Sequence, residues 1–210
     1  MRRSFSACTT GETVVPDVLP EVVLLAAGRS SRMGEPKGLW AIGGKPWLEH
    51  QLDAIEALGA EAVLVLGFDR QRYLQALPEL EDRASVVINP TPEHGPFSSM
   101  QCGLRVSGSP AFVLPVDVPV PVPDVWRALH EALTARFDAA VPVHEGAGGH
   151  PVLLSGALVT HVLGLHAESR LDHVLRDWDP PRIARIPVLD RRVRLNLNAP
   201  EDWGKLAAGT

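Results

Sequence analysis

Cysteine is scarce. Only Cys8 and Cys102 occur in 210 residues, which supplies no disulfide framework and no metal-site spacing and fits the reducing interior of a cell. Long apolar runs are missing too, since none approaches the roughly 20 residues needed to cross a bilayer. Arg2-Arg3-Ser4-Phe5 looks like the start of a twin-arginine export signal, but the polar stretch from Ser6 to Thr13 follows where an apolar segment belongs. A cytoplasmic location without membrane attachment is the expectation. Positive charge is not in excess: the formal net charge of −5 argues against general nucleic-acid binding, which requires a broad basic face. No G-x-x-x-x-G-K-[ST], no G-x-G-x-x-G opening a helix, no H-E-x-x-H and no G-x-S-x-G is present, which argues against a P-loop ATPase, a Rossmann dehydrogenase, a zinc protease and an α/β-hydrolase. There is no internal repeat. The tryptophans, Trp40, Trp47, Trp126, Trp178 and Trp203, are scattered and read as packing residues rather than a base-stacking platform.

A hydrophobic content of 45 % is enough for one full core at this length. Residues Met1 to Pro20 have no periodic pattern and contain Pro16 and Pro20, so they read as a flexible leader before a single domain over 21–210. Short apolar runs at Val22 to Ala26, Ala62 to Leu66, Ser85 to Ile88, Ala111 to Val116, Ala139 to Val143 and Ile183 to Val188 alternate with helical patterns. That alternation predicts an α/β fold with a mostly parallel sheet and helices on its faces. One helix is expected from Pro46, with Leu48, Leu52, Ile55 and Leu58 on one face and Gly59 closing it; a second follows Pro123 with Val125, Leu129 and Ala132 on a stripe; a last one follows Pro200.

The most informative stretch is Val22 to Lys37, where an apolar strand runs into Gly28-Arg29-Ser30-Ser31-Arg32-Met33-Gly34-Glu35-Pro36-Lys37. Glycines let backbone amides turn toward one anion while Arg29, Arg32 and Lys37 supply charge, which suits a nucleotide. An ordinary strand-to-helix turn is the alternative. In open α/β sheets ligands gather beyond the C-terminal ends of strands. This loop, Asn89 and Asp117 each follow a predicted strand, so all three are expected on one edge.

Asp117, in Val116-Asp117-Val118-Pro119, would be costly after a buried strand without compensation. A solitary carboxylate at a phosphate crevice suits magnesium, which fills its other sites with water and phosphate oxygens; capping of the following turn is the alternative. Asn196 and Asn198 offer neutral oxygens to a hard cation or, equally, a turn and helix cap before Pro200. Asn89, Ser98 and Ser99 supply an amide and two hydroxyls, either for base and ribose edges or for a helix N-terminus.

The segment Leu25-Ala26-Ala27-Gly28-Arg29-Ser30-Ser31-Arg32-Met33-Gly34-Glu35-Pro36-Lys37 resembles the N-terminal signature of the MobA-like nucleotidyltransferases, L-A-A/G-G-x-S-x-R-M-G-x-x-K. Three further stretches resemble that family in order. Asp117-Val118-Pro119 matches its D-x-P. The run from Asn89 through Gly95, Ser98, Ser99 and Gly103 matches N-P-x-x-x-x-G-x-x-x-S-L-x-x-G-L, with Met100 for the usual Leu. Asn196 to Asp202 matches N-x-N-T-P-E-D, with Ala199 for the usual Thr. The resemblance implies a three-layer α/β/α, Rossmann-like nucleotidyltransferase fold and transfer of a nucleoside monophosphate from a nucleoside triphosphate to a phosphorylated acceptor. It implies that the nucleotide is held by Leu25, Ala26, Ala27, Gly28, Ser30, Arg32, Gly34, Lys37, Asn89, Ser98, Ser99 and Gly103, with Lys37, Arg32 and Asp117 catalytic. Asp117, Asn198 and Asn196 would hold Mg2+, with Mn2+ as the alternative ion.

Ala27, Pro36 and Gly149-His150-Pro151 resemble the molybdopterin cytidylyltransferase branch. That branch implies CTP as the nucleotide, molybdopterin as the acceptor, His150 and Arg170 as acceptor contacts, and transient contact with an enzyme that receives the cofactor. Gly148 stands where the family often has Arg, and Leu165 to Arg170 keeps only the Arg of G-D-x-G-x-R. Another phospho-acceptor such as a sugar phosphate, or a nucleotide-binding delivery protein without turnover, are the other readings.

Overall fold

The run Val22–Ala26 has no polar residue to spare for solvent, as expected of a strand covered on both faces, and in the computed structural model it forms the centre of the sheet. The structure describes residues 18–29, 34–133, 136–198 and 202. Most of the expected leader and nearly all of the helix expected after Pro200 lie outside the described residues. The strands are β1 Val22–Ala26, β2 Ala41–Ile42, β3 Lys45–Pro46, β4 Ala62–Leu66, β5 Ser85–Ile88, β6 Ala111–Pro115, β7 Ala139–His144, β8 Ala147–Gly148, β9 Val152–Leu154 and β10 Ile183–Pro187. The helices are α1 Trp47–Ala57, α2 Arg70–Ala76, α3 Leu80–Arg83, α4 Pro96–Leu104, α5 Pro123–Ala132, α6 Gly156–Gly164 and α7 Leu171–Asp177.

All six expected strands form, within a residue at their C-terminal ends, and they run in the order β10-β7-β9-β6-β1-β4-β5 once β9 is inserted. β1 pairs in parallel with β4 and β6, Val22 lying opposite both Ala62 and Phe112, and β5 continues the parallel set beside β4. β9 runs antiparallel between β6 and β7. It has only three residues, all buried, and so short a run shows no periodicity in the sequence. Gly43 and Gly44, at φ +58° and +82°, make the two-residue turn of the separate β2–β3 hairpin.

Alternate side chains of β1 feed two cores. Val22, Leu24 and Ala26 pack with Leu48, Leu52 and Ile55 of α1 and Val125, Trp126 and Leu129 of α5. Val23 faces the opposite way with Phe97, Met100 and Leu104 of α4 and Leu158 and Val162 of α6. Sheet and two helical layers make the expected three-layer α/β/α arrangement. α1 begins one residue later than predicted, because Pro46 closes β3 at ψ 140°, outside the helical region. Gly59 ends the helix at φ +72°, as expected. No helix among the described residues is long and apolar enough to cross a membrane.

Asp138 ties the far edge together. It is buried and accepts hydrogen bonds from Arg182 ahead of β10, Trp178 after α7 and Ser155 before α6. The Arg182 guanidinium holds its carboxyl below the usual range, against the opposing effect of burial. A carboxylate with a depressed native pKa stabilises the fold above its unfolded value of about 3.9 and loses that contribution as pH falls through the native value. Asp138→Asn is expected to destabilise the protein at neutral pH by about 1–3 kcal/mol. The difference from wild type, read by urea unfolding, should narrow progressively below about pH 4.

Candidate active site

The parallel set places the C-terminal ends of β1, β4, β5 and β6 on one edge, and the loops that carry chemistry leave from there. Lys37 opens a single 3₁₀ turn, Lys37–Leu39. Its ammonium donates to Asp117 Oδ2 at 2.7 Å and to Asn198 Oδ1 at 2.6 Å, joining residues that are 80 and 161 positions apart in the chain. The Lys37 and Asp117 side chains are each about one quarter exposed, open enough for a ligand to reach. Two hard oxygens thus converge on one positive centre. Asn196, the other expected metal ligand, is exposed. Its carbonyl accepts from the Asn198 amide at 3.4 Å, and its side chain joins none of the trio's contacts.

Each member of the trio is held from behind, and for Lys37 and Asp117 the side chains that do so carry no motif in the sequence. Behind Lys37, the Gly38 N–H donates to the Tyr73 hydroxyl at 3.0 Å, and a Cβ on Gly38 would stand 2.8 Å from that oxygen. Tyr73 is buried, which pushes its hydroxyl pKa up and keeps it neutral. The loop carrying Asp117 hangs from α1: Trp47 Nε1 donates to the Val116 carbonyl at 2.6 Å, Gln51 Nε2 to the Val118 carbonyl at 2.7 Å, and Gln51 Oε1 accepts from Val120 N at 3.0 Å. Gln51 is 1 % exposed, so its amide serves these backbone groups alone. The one available signal was its place beside Leu48, Leu52 and Ile55 on an apolar helix face, where an amide needs buried partners. The Asn198 segment is fixed by Leu197 N donating to the Asp117 carbonyl at 2.7 Å and Asn198 N to Asp202 at 3.0 Å.

A cavity of about 370 Å³ opens beside the trio, lined by Leu25, Ala26, Ala27, Gly28, Arg29, Lys37, Ser99 and Asp117 among others. Ser30 and Arg32 lie outside the described residues. Gly34, at φ +68°, has its carbonyl bonded by Arg72 at 3.1 Å. The Asn89 group divides. Asn89 donates to Ser98 and Ser99 Oγ, both at 2.9 Å, and accepts from Thr91 N, so its amide is spent inside the protein. Ser98 donates to the Gly95 carbonyl at 2.8 Å, and neither serine caps α4, whose N-cap is Gly95. Asn89 and Ser98 therefore brace the turn, and only Ser99 reaches the cavity wall. Gly103, expected at the nucleotide, lies instead against the sheet. A Cβ there would fall 2.3 Å from Val23 Cγ1, so the missing side chain lets α4 approach β1.

A second cavity, of about 660 Å³, adjoins the first and shares Leu25, Pro96 and Pro115 with it; His150 and Arg170 are on its wall. Gly149 is required where it stands, since a Cβ would meet the Val193 carbonyl oxygen at 2.2 Å. His150 N donates to that carbonyl at 2.9 Å. Burial pushes the His150 imidazole pKa down, with the Val113 backbone and Asp117 partly opposing it, so the ring is neutral at pH 7. Arg170 is held by Asp172 through two bonds of 3.0 Å. Among the described residues no cluster of three or more His, Cys, Asp or Glu could hold a metal by itself. A divalent ion here would share Asp117 and Asn198 with ligand oxygens, as hard cations at phosphates do.

Two substitutions separate support from contact. Gly38→Ala should push Tyr73 and the Lys37 turn apart and weaken nucleoside triphosphate binding at least tenfold, measured by calorimetry, with the far edge of the sheet unaffected in hydrogen exchange. Gln51→Leu keeps volume but orphans buried backbone groups at about 1–3 kcal/mol each. It should lower the urea midpoint and reduce nucleotide affinity together.

Residues 22–183 match the profile of the MobA-like NTP transferase domain. A curated relative from Carboxydothermus hydrogenoformans, named "Probable molybdenum cofactor guanylyltransferase", is 27 % identical over 194 residues, covering 88 % of this chain and 93 % of its own. Among solved structures, a nucleotidyl transferase from Methanothermobacter superposes with a TM-score of 0.75 at 21 % identity, over 90 % of this chain and 95 % of that one. A Mycobacterium tuberculosis protein solved as a complex with manganese gives 0.74 at 21 % identity, over 92 % of this chain and all of the other. At that identity both establish the fold alone. The profile spans well over half of the sequence, and the chain belongs to the MobA-like NTP transferase family, a nucleotidyltransferase by that membership.

Proposed function

We propose that this chain moves a nucleoside monophosphate from a nucleoside triphosphate onto the phosphate of a molybdopterin-type acceptor. In that reaction an acceptor phosphate oxygen attacks the α-phosphorus, a new phosphoanhydride forms, and the bond to the β-phosphate breaks to release pyrophosphate. The observation that carries the reading is the Lys37–Asp117–Asn198 trio beside the smaller of two adjoining cavities, which would take the donor, with the larger one left for the acceptor. Lys37, with Arg32 from the same loop, would neutralise the triphosphate, while Leu25, Ala26, Ala27, Gly28, Gly34, Ser30 and Ser99 frame it. His150, neutral, and Arg170 would line the acceptor. Asp117 and Asn198 are hard oxygen donors and fit Mg2+ or Mn2+, which when bound would supply Lewis-acid charge neutralisation at phosphate oxygens. The acceptor phosphate is largely ionised at neutral pH, so positioning and charge carry the step and no side-chain base is required. The product, a nucleotide form of the cofactor, would pass in the cytoplasm to an enzyme that uses it.

Two bases have a specific observation each. The guanylyltransferase name of the relative favours GTP and shifts the reading away from the CTP of the motif comparison. CTP rests on the motif resemblance at Ala27, whose methyl is buried against Gly67, where a Cβ would stand 2.8 Å from it, and so is a fixed part of the cavity wall.

Pyrophosphate release by the purified protein with molybdopterin and magnesium, supplied separately with GTP, CTP or ATP, tests both. Release with GTP above CTP is expected from the relative, and the reverse order would restore the cytidine reading. Asp117→Ala should lower the rate at least a hundredfold at fixed magnesium, the scale of losing a preorganised charge contact. Silence with every nucleotide would overturn the transfer reading.

A further inference from the structure

The two acceptor contacts expected from the sequence leave an anionic guest without an unbalanced positive charge. His150 is neutral by burial, and the Arg170 guanidinium is spent on Asp172. A third cation stands on the same wall. Arg185, at the centre of β10, lines the second cavity, and among the described residues it makes no hydrogen bond and no ion pair. The register brings it there: Arg185 lies opposite Val141 of β7, and β8 folds back on β7 with Gly148 opposite Val143. Its Nη1 lies 4.0 Å from where a Cβ on Gly148 would stand. Position 148 therefore contributes no side chain, and the neighbouring strand lays a guanidinium across the gap. Glu168 and Asp172 are the acidic groups on this wall; Asp172 is engaged by Arg170, and Glu168 lies beyond ion-pair reach of Arg185.

We propose that Arg185 is the residue that anchors the acceptor's phosphate, an assignment that rests on the transfer reading above for the identity of its guest. A phosphate monoester presents up to two negative charges and three acceptor oxygens, and the planar guanidinium fork meets such a group through paired hydrogen bonds. A phosphate held there lies in the cavity that shares Leu25, Pro96 and Pro115 with the nucleotide cavity, which directs its oxygens toward the donor. Arg185 is exposed, so its pull is screened by salt.

Inorganic phosphate, titrated calorimetrically into the full chain at low salt, reads the site without turnover. Lys37→Ala is used as the background so that the nucleotide loop does not compete. Arg185→Gln is expected to weaken phosphate binding at least tenfold, Arg185→Lys to recover part of it, and Arg127→Gln, on the remote face of α5, to leave it unchanged, with the Arg185 effect shrinking as salt rises. Phosphate binding that survives Arg185→Gln, or that is absent before it, overturns the assignment. Turnover separates the two readings: pyrophosphate release with an unchanged acceptor KM in Arg185→Gln would leave the transfer reading standing and remove Arg185. A phosphate site that depends on Arg185 in a protein that releases no pyrophosphate would do the opposite.

Discussion

The contact on which the functional edge depends is the ammonium of Lys37 between the oxygens of Asp117 and Asn198. It closes three loops from distant parts of the chain onto one point, and loop closure over such separations is entropically expensive unless the rest of the fold has already brought the ends together. The parallel register of β1 with β4 and β6 does so, because strands aligned from Val22 opposite Phe112 to Leu25 opposite Pro115 release their following loops at one height. Val116 N on Leu25 O, at 3.0 Å, extends that alignment into the loop itself. A carboxylate directly after a buried strand is tolerable there because a cation meets it.

Rigidity behind the trio comes from polar groups buried in otherwise apolar layers. Gln51 and Tyr73 sit in the core under α1 and α2, and each spends its polar atoms on backbone that carries a site residue. An unsatisfied amide or hydroxyl at those positions would cost more than an apolar side chain, so their partners are over-determined. The same logic explains the close-approach glycines. A Cβ on Gly38, Gly103 or Gly149 would stand less than 3.0 Å from a neighbouring atom, so the bare backbone at each lets a ligand-facing loop or helix lie on its support without a gap.

Much of this was legible in residue order. Five-residue apolar runs such as Ala62–Leu66 fix their own strand type because period and burial agree. Lys37 and Asp117 stood out because charge immediately follows apolar sequence. Asn89, Ser98 and Gly103 are ambiguous in the sequence for a physical reason: amide, hydroxyl and glycine look alike there whether they face a ligand or brace the fold. The Asn89 amide has no capacity left. Gln51 and Tyr73 were missed because their roles depend on partners 35 or more residues away, and no local pattern encodes that distance. β9 escaped because three residues cannot display a period.

The trio also implies an exchange on the proposed reading. Lys37 has a single ammonium, and two of its three N–H donors are engaged by Asp117 and Asn198. A triphosphate needs that charge on its own oxygens, which would leave a carboxylate and an amide oxygen facing phosphate, an arrangement that like charge disfavours. Asp117 and Asn198 are the oxygens that would hold a divalent cation, which would supply the positive charge that the ammonium gives up there. Nucleotide and metal should then bind as a pair rather than separately, since each alone leaves one charge uncompensated. Lys37 in this view is the group that keeps the edge neutral until both arrive. The single-turn 3₁₀ geometry of its segment, fastened at Gly38, fixes the backbone, so such an exchange would need only the long side chain to turn.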